Sequence, residues 1–246
     1  MWNDFSFFVL VGAAAQLVDG AIGMAYGVTA TSILMSYGVA PATASAAIHA
    51  AEVFTTAASG AAHWRLGNVQ WDMVKRLAIP GVFGAIAGAM LLSHVPGRTI
   101  QPFVSAYLLC LGLMIVWRAA WQHLPNTPKT PSSLLGLVGG FLDAVGGGGW
   151  GAMVTTTLIA NRNEPRFAIG SASVAEFFIT VVATATFIVT IGLSLWPVIL
   201  GLVAGGVVAA PFAALVARHV PARPIMLVVG VVVIALSARN LLAVLR

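Results

Sequence analysis

Gly139-Gly-Phe-Leu-Asp143-Ala-Val-Gly-Gly-Gly-Gly-Trp-Gly151 decides the fold. It interrupts an apolar run over residues 134–160 with an aspartate and then four successive glycines, Gly146, Gly147, Gly148 and Gly149. Each side of the interruption holds about 12–15 residues, or about 18–22 Å of helix, against a hydrocarbon layer of about 30 Å. Neither piece spans a bilayer. The simplest reading is a re-entrant hairpin of two half-helices meeting at a glycine-rich tip.

The same device stands earlier in the chain. Residues 4–37 are apolar and are broken by Asp19-Gly20-Ala21-Ile22-Gly23. Gln16-Leu-Val-Asp19-Gly-Ala-Ile-Gly23 matches Gly140-Phe-Leu-Asp143-Ala-Val-Gly-Gly147 at an offset of 124 residues, as do Pro41 with Pro165, Glu52 with Glu176 and Phe54 with Phe178. At an offset of 125, Trp71 meets Trp196, and His94-Val-Pro96-Gly-Arg98 meets His219-Val-Pro221-Ala-Arg223. Landmarks kept in order across both halves indicate a duplication, a common plan of secondary transporters. Trp121 to Ser133 (WQHLPNTPKTPSS) is polar and holds three prolines. The division is therefore a first membrane repeat over 1–122, a polar linker over 123–133 and a second membrane repeat over 134–246. After its hairpin each repeat has three apolar stretches of about 20 residues or more, enough to cross a bilayer. They run over 42–63, 73–93 and 99–120, then over 167–189, 197–217 and 224–244.

Composition requires the same solvent. Hydrophobic residues make up 59% of the chain and charged residues 8%, where a soluble domain carries about 25% charged. So few charges cannot solvate a globule of this size, whereas a bilayer removes the need. The 26 glycines suit close helix approach in a membrane. The net charge of +5 does not indicate nucleic acid, because the basic residues are scattered between apolar runs. The single cysteine, Cys110, excludes a disulfide framework and a cysteine metal site. The N-terminal run lacks the basic flank of a signal peptide, Arg65 being the first Lys or Arg, and is expected to stay in the mature protein.

The basic residues also test the topology. If each hairpin enters and leaves on one side, the repeats are inverted. One side then collects Arg65, Lys75, Arg76, Arg118, Lys129, Arg162, Arg166, Arg218 and Arg223, and the other Arg98, Arg239 and Arg246, a split of 9 to 3. If the element spans once, the repeats are parallel and the split is 7 to 5. The positive-inside rule favours the inverted arrangement, with both termini outside. The expected fold is an all-α integral membrane protein of two inverted repeats. Each repeat is a re-entrant half-helix hairpin followed by three transmembrane helices.

Of the 7 acidic residues, Asp19, Glu52, Asp143 and Glu176 fall inside apolar elements, as two duplicated pairs. Intramembrane carboxyls are costly and mark function by default. Asp19 and Asp143 also suit the capping of the second half-helix, a role compatible with the site. Glu52 and Glu176 read either as neutral groups fixing helix packing or as proton carriers. The tips Asp19, Gly20, Ala21, Ile22, Gly23 and Asp143, Gly146, Gly147, Gly148, Gly149 let backbone N–H groups and positive helix ends approach a ligand. Two tips meeting near the midplane would form an anion site free of Lys and Arg. His49, three residues before Glu52, shares its helix face and could donate to an anion or relay a proton. Ser173 is its counterpart. His94 and His219 precede Val-Pro at helix ends and read as interfacial caps. Thr29, Thr31, Thr155, Thr156 and Thr157 either line the site or bond back to their own helices. Trp71, Trp117, Trp121 and Trp196 fit an aromatic belt. The His-x-x-Glu spacing has no second His–acid pair, so no metal and no cofactor are expected. No paired Ser–His nucleophile stands out, which disfavours an intramembrane enzyme. A scaffold has no need of duplicated buried acids.

The chain resembles the sulfite exporter TauE/SafE family of membrane anion transporters. The resemblance is carried by Gly12 to Gly23 (GAAAQLVDGAIG), by Pro41-Ala-Thr-Ala-Ser-Ala-Ala-Ile-His49 and by Gly139 to Gly151, and it covers essentially the whole chain. It implies export of sulfite or a related small inorganic or organosulfur anion across the cytoplasmic membrane by a multi-pass protein. With the duplicated glutamates, protons are the expected coupling partner, and a passive anion channel of the same fold is the alternative. The lipid bilayer is the expected surround, and a homo-oligomer stays open.

Overall fold

The computed structural model describes residues 5–22, 24–120, 130–219 and 222–244. Among them only helices occur: α1 (Phe5–Ile22), α2 (Tyr26–Ser36), α3 (Pro41–Arg65), α4 (Trp71–His94), α5 (Gly97–Ala120) and α6 (Ser132–Gly146). A π-helical turn over Gly151–Thr155 then leads into α7 (Thr156–Ala160), followed by α8 (Pro165–Thr190), α9 (Trp196–His219) and α10 (Ala222–Val244). Pro41 and Pro165 open α3 and α8, where a proline's missing N–H costs nothing. Trp71–His94, Gly97–Ala120, Pro165–Thr190 and Arg223–Ala243 are long and apolar enough to cross a bilayer. At 25 residues, α3 is as long, but it is rich in Ala, Ser and Thr because much of its surface faces other helices. The spans expected over 42–63, 73–93, 99–120, 167–189, 197–217 and 224–244 thus fall within α3, α4, α5, α8, α9 and α10. Most of the 123–133 linker lies outside the described residues.

The breaks fall at the ends of the stretches that the sequence reading marked, and not at their aspartates. α1 runs on through Asp19 to Ile22, giving 18 residues, and α6 runs on through Asp143 to Gly146. The helix ends only where the backbone turns left-handed, at Gly147 (φ 66°), with Gly148 (φ 137°) and Gly149 (φ 134°) after it. This is the conformation glycine adopts freely. In the first repeat Ala25 (φ 100°) precedes α2 in the same sense. Each aspartate therefore lies in the last turn of the first half-helix and not in the break itself.

Both pairs of short helices double back. The rings of Phe7, near the start of α1, and Tyr37, just past α2, meet edge to face at 5.4 Å. In the second repeat Asn161 Nδ2 donates to the Thr130 carbonyl at 3.0 Å and Thr130 N–H donates to Asn161 Oδ1 at 3.3 Å. That exchange ties the start of α6 to the end of α7.

The halves interlock. α1 packs along α9 of the other half, and α6 packs along α4. Glycine allows each approach: a methyl group on Gly12 would strike the Leu202 carbonyl, and one on Gly136 would strike the Leu77 carbonyl. The two glycines are 124 residues apart and the two leucines 125, so a single contact is made twice. Equivalent helices also meet each other, running antiparallel. Thr56 touches Thr180 (Oγ1 to Oγ1 3.4 Å) while Gly60 abuts Val174, so α3 and α8 run oppositely. Gly112 abuts Val233 and Ile234 while Gly230 abuts Val116, which sets α5 and α10 the same way. Large apolar side chains such as Phe83, Phe103, Val189 and Val228 face outward, as a lipid solvent permits.

Candidate functional site

The two breaks meet inside the bundle. Thr31 Oγ1 on α2 donates to the Gly147 carbonyl, and a side chain on Gly148 would collide with the backbone of Gly27. Beside this crossing lies a small polar cavity of about 20 Å³. Asp19, Tyr26, Glu52, Thr56 and Glu176 line it, together with Thr55 and backbone from Ala25, Gly27, Gly149 and Gly151. Ala25 and Gly149, Gly27 and Gly151, and Glu52 and Glu176 are equivalents at the 124-residue offset, so both repeats build the cavity from the same positions. Among the described residues, no Lys, Arg or His lines it.

Each hairpin aspartate bridges its own break. Asp19 Oδ1 accepts from the N–H of Tyr26 at 3.3 Å, and Asp143 Oδ1 accepts from the N–H of Trp150 at 2.9 Å. In both cases the donor is seven residues on and opens the second half-helix, where free N–H groups and the positive helix end favour a carboxylate. The capping expected from sequence is present. It comes from across the break and uses one oxygen of each carboxyl.

Asp143 has a second partner. Its Oδ2 lies 3.2 Å from His49 Nε2, with both side chains fully buried. His49 Nδ1 lies 2.9 Å from the Ser45 carbonyl and 3.2 Å from the Ser45 hydroxyl, and that hydroxyl donates to the Ala144 carbonyl at 2.7 Å. Two side chains of α3 thus hold the end of α6. His49 is not in the cavity lining; it stands behind the wall that the second tip forms.

The remaining expected residues divide in the same way. Glu52, 4% exposed, presents Oε2 with no partner among the described residues. Its main-chain carbonyl accepts from the Thr56 hydroxyl at 2.6 Å. Glu176 reaches the cavity from α8. Gly20, Ala21 and Ile22 belong to the last turn of α1, and Gly23 lies outside the described residues. Gly146 packs on the Tyr107 ring, Gly147 on Thr31, and Gly149 lines the cavity. Ser173 sits half-buried on α8 and is not among the lining residues. Of the threonines, Thr31 binds the opposite tip, while Thr157 bonds back to Met153 at 2.7 Å. His94 also bonds back, to Met90 at 2.7 Å, as a helix-end cap.

Tyr26, Thr55 and Thr56 are lining residues that the sequence reading passed over. A signal existed for Thr56, because Thr180 stands 124 residues later. Tyr26 and its counterpart Trp150 are both aromatic, at the first position after each break.

An all-helical bundle with an apolar outer surface and a central polar cavity between two broken helix pairs is the architecture of a multi-pass membrane transport protein. The chain belongs to the TauE/SafE sulfite exporter family: residues 8–240 match the family described as "Sulfite exporter TauE/SafE". It is 42% identical over 245 residues to a protein of Bacillus subtilis (strain 168) described as "Probable membrane transporter protein YtnM", covering 96% of this chain and 82% of that one. No solved structure matches the chain. The protein is a membrane transporter of the cell membrane, crossing it several times, and not an enzyme.

Proposed function

We propose that the chain is a secondary transporter that exports sulfite or a related small sulfur-containing anion, coupled to protons. The observation that carries this reading is the cavity built from equivalent positions of both repeats, Ala25 with Gly149, Gly27 with Gly151 and Glu52 with Glu176. The backbone at the start of α2 and the Gly149–Gly151 segment offer an oxyanion N–H donors and a positive helix end. The family's name supports the substrate class.

Coupling follows from what surrounds the anion. Asp19, Glu52 and Glu176 face the cavity and, among the described residues, no cationic side chain does. Like charges a few Å apart repel strongly in a dry site, so an anion shares this space with the carboxyls only when protons accompany it. Binding of the anion and of a proton then favour each other reciprocally. Glu52 and Glu176 are the proposed proton carriers; Asp19, Asp143 and the tip glycines form the proposed cradle.

The arrangement proposed for the repeats is inverted, with each hairpin re-entrant. The antiparallel run of α3 against α8 and of α5 against α10 supports it, as do the closed hairpin ends. The proposed units are 1–122 and 134–246 with the linker between them. The test is sulfite flux with Glu52→Gln and Glu176→Gln singly. Transport in both variants with an unchanged pH profile would remove the glutamates from coupling. Flux that no proton gradient can drive uphill would favour the passive channel instead.

A further inference from the structure

We infer that His49 is a positioning residue that ties the second hairpin tip to α3 through one shared proton with Asp143, so that this tie, one of several at the tip, holds only while that proton is in place. The inference rests on the proposed use of the tips as cradle for its consequence in transport, but its geometry is independent of the substrate.

Hydrogen-bond roles fix the proton count. The Ser45 carbonyl can only accept, so His49 Nδ1, 2.9 Å away, carries a hydrogen. The Ser45 hydroxyl has one hydrogen and gives it to the Ala144 carbonyl, so it too can only accept from Nδ1. This leaves Nε2 facing Asp143 Oδ2 at 3.2 Å. Two lone pairs do not bind each other, so one proton lies between these atoms, on the ring or on the carboxyl. Removing it sets lone pair against lone pair. Adding a second sets donor against donor, and the extra hydrogen cannot move to Oδ1 without meeting the N–H of Trp150, which already donates there. The tie therefore closes in a single protonation state of the pair.

The groups that face this pair come from several helices. Asp143 itself belongs to α6, and Glu52 lies one turn further along α3. Tyr107 of α5 and Glu176 of α8 are close enough to interact electrostatically with Asp143. The Phe187 ring of α8 lies 6.1 Å from the imidazole. Loss of the tie would loosen the segment Asp143–Trp150 without releasing it, because Ser45 and Thr31 still donate to the Ala144 and Gly147 carbonyls and the Trp150 indole N–H to the Ala172 carbonyl, while Gly147 to Gly149 resist no rotation of their own. The equivalents of Ser45 and His49 on α8 are Ile169 and Ser173. Isoleucine has no hydroxyl and serine no ring nitrogen, so α8 cannot repeat the tie for the first tip. The two hairpins are thus unequal: the second is a wall latched by a proton.

The test is hydrogen–deuterium exchange of the peptide covering Gly139–Trp150 in purified protein, corrected for intrinsic rates, with a peptide from α5 as control. Wild-type protection should fall as pH rises, because loss of the shared proton opens the tie. His49→Gln keeps a donor towards Asp143 and has no proton to lose, so protection should stay and become flat with pH. In His49→Ala it should be flat with pH and about tenfold or more below the wild-type value at the low-pH end, as expected for a lost hydrogen bond to a charged group, converging on wild type at high pH, with the α5 peptide unchanged. A pH response that persists in His49→Gln, or wild-type protection that is flat with pH, would overturn the inference. Because the readout needs no substrate, a protein that fails to move sulfite leaves it standing. Conversely, sulfite transport with a pH-flat tip rejects the latch alone.

Discussion

At the residue scale, the carboxyls inside the bundle divide into two kinds. Asp19 and Asp143 each give an oxygen to the first amide of the following half-helix and so fix the geometry of the breaks. Glu52 has an unpartnered buried oxygen beside the crossing. Such a group is retained where it has work to do, since an unsatisfied buried polar atom costs about 1–3 kcal/mol. Wild-type transport should therefore fall as pH rises and the carriers lose their protons. At least one of Glu52→Gln and Glu176→Gln should transport with a flat pH profile and lose uphill accumulation, read by vesicle uptake. Gly148 is a second residue-scale prediction. Its φ of 137° and its contact with the Gly27 backbone leave no place for a side chain. Gly148→Ala should lower stability by about 1–3 kcal/mol and abolish transport, measured by thermal unfolding in detergent and by flux. The acidic positions were legible in the sequence because the duplication printed them twice. The His49–Asp143 bond was not, because it joins residues 94 apart and the duplication does not repeat it.

At the element scale, the six long helices were readable from apolar length, and their ends agree with the expected spans to within a few residues. The breaks were read as starting at their aspartates. Asp19-Gly20 looks like a stop, yet a single glycine is tolerated in a helix, and among the described residues the backbone first turns left-handed at Ala25 and at Gly147. The π-helical turn over Gly151–Thr155 left no trace that hydrophobic periodicity could detect. Equally hidden was the use of Gly12 and Gly136 as notches, since glycine in a membrane helix can serve a tip or a contact. The notches meet the carbonyls of equivalent leucines, Leu202 and Leu77, each in the opposite half. Gly12→Ala and Gly136→Ala should each destabilise by about 1–3 kcal/mol through overpacking. The paired prediction is that the two losses are of similar size. A large loss in one and none in the other, by thermal unfolding, would contradict the repeated contact.

At the scale of the whole molecule, the first hairpin of each half packs against a spanning helix of the other half. Neither repeat can then close its packing alone. Antiparallel equivalents support the proposed inverted arrangement, with a two-fold axis in the plane of the membrane, which the 9 to 3 charge split also favoured. With Cys110 replaced by alanine, a membrane-impermeant thiol reagent applied to intact cells should label Ala40→Cys and Ser194→Cys and spare Asn68→Cys and Asn163→Cys. Labelling of Ala40→Cys and Asn163→Cys from the same side would make the repeats parallel. The central claim is that this pocket moves a sulfur oxyanion together with protons. Sulfite flux into proteoliposomes of the purified protein, with and without an imposed pH gradient, tests it most directly. The account predicts accumulation above equilibrium that collapses when the gradient is dissipated; sulfite that moves only down its own gradient, or not at all, would contradict it.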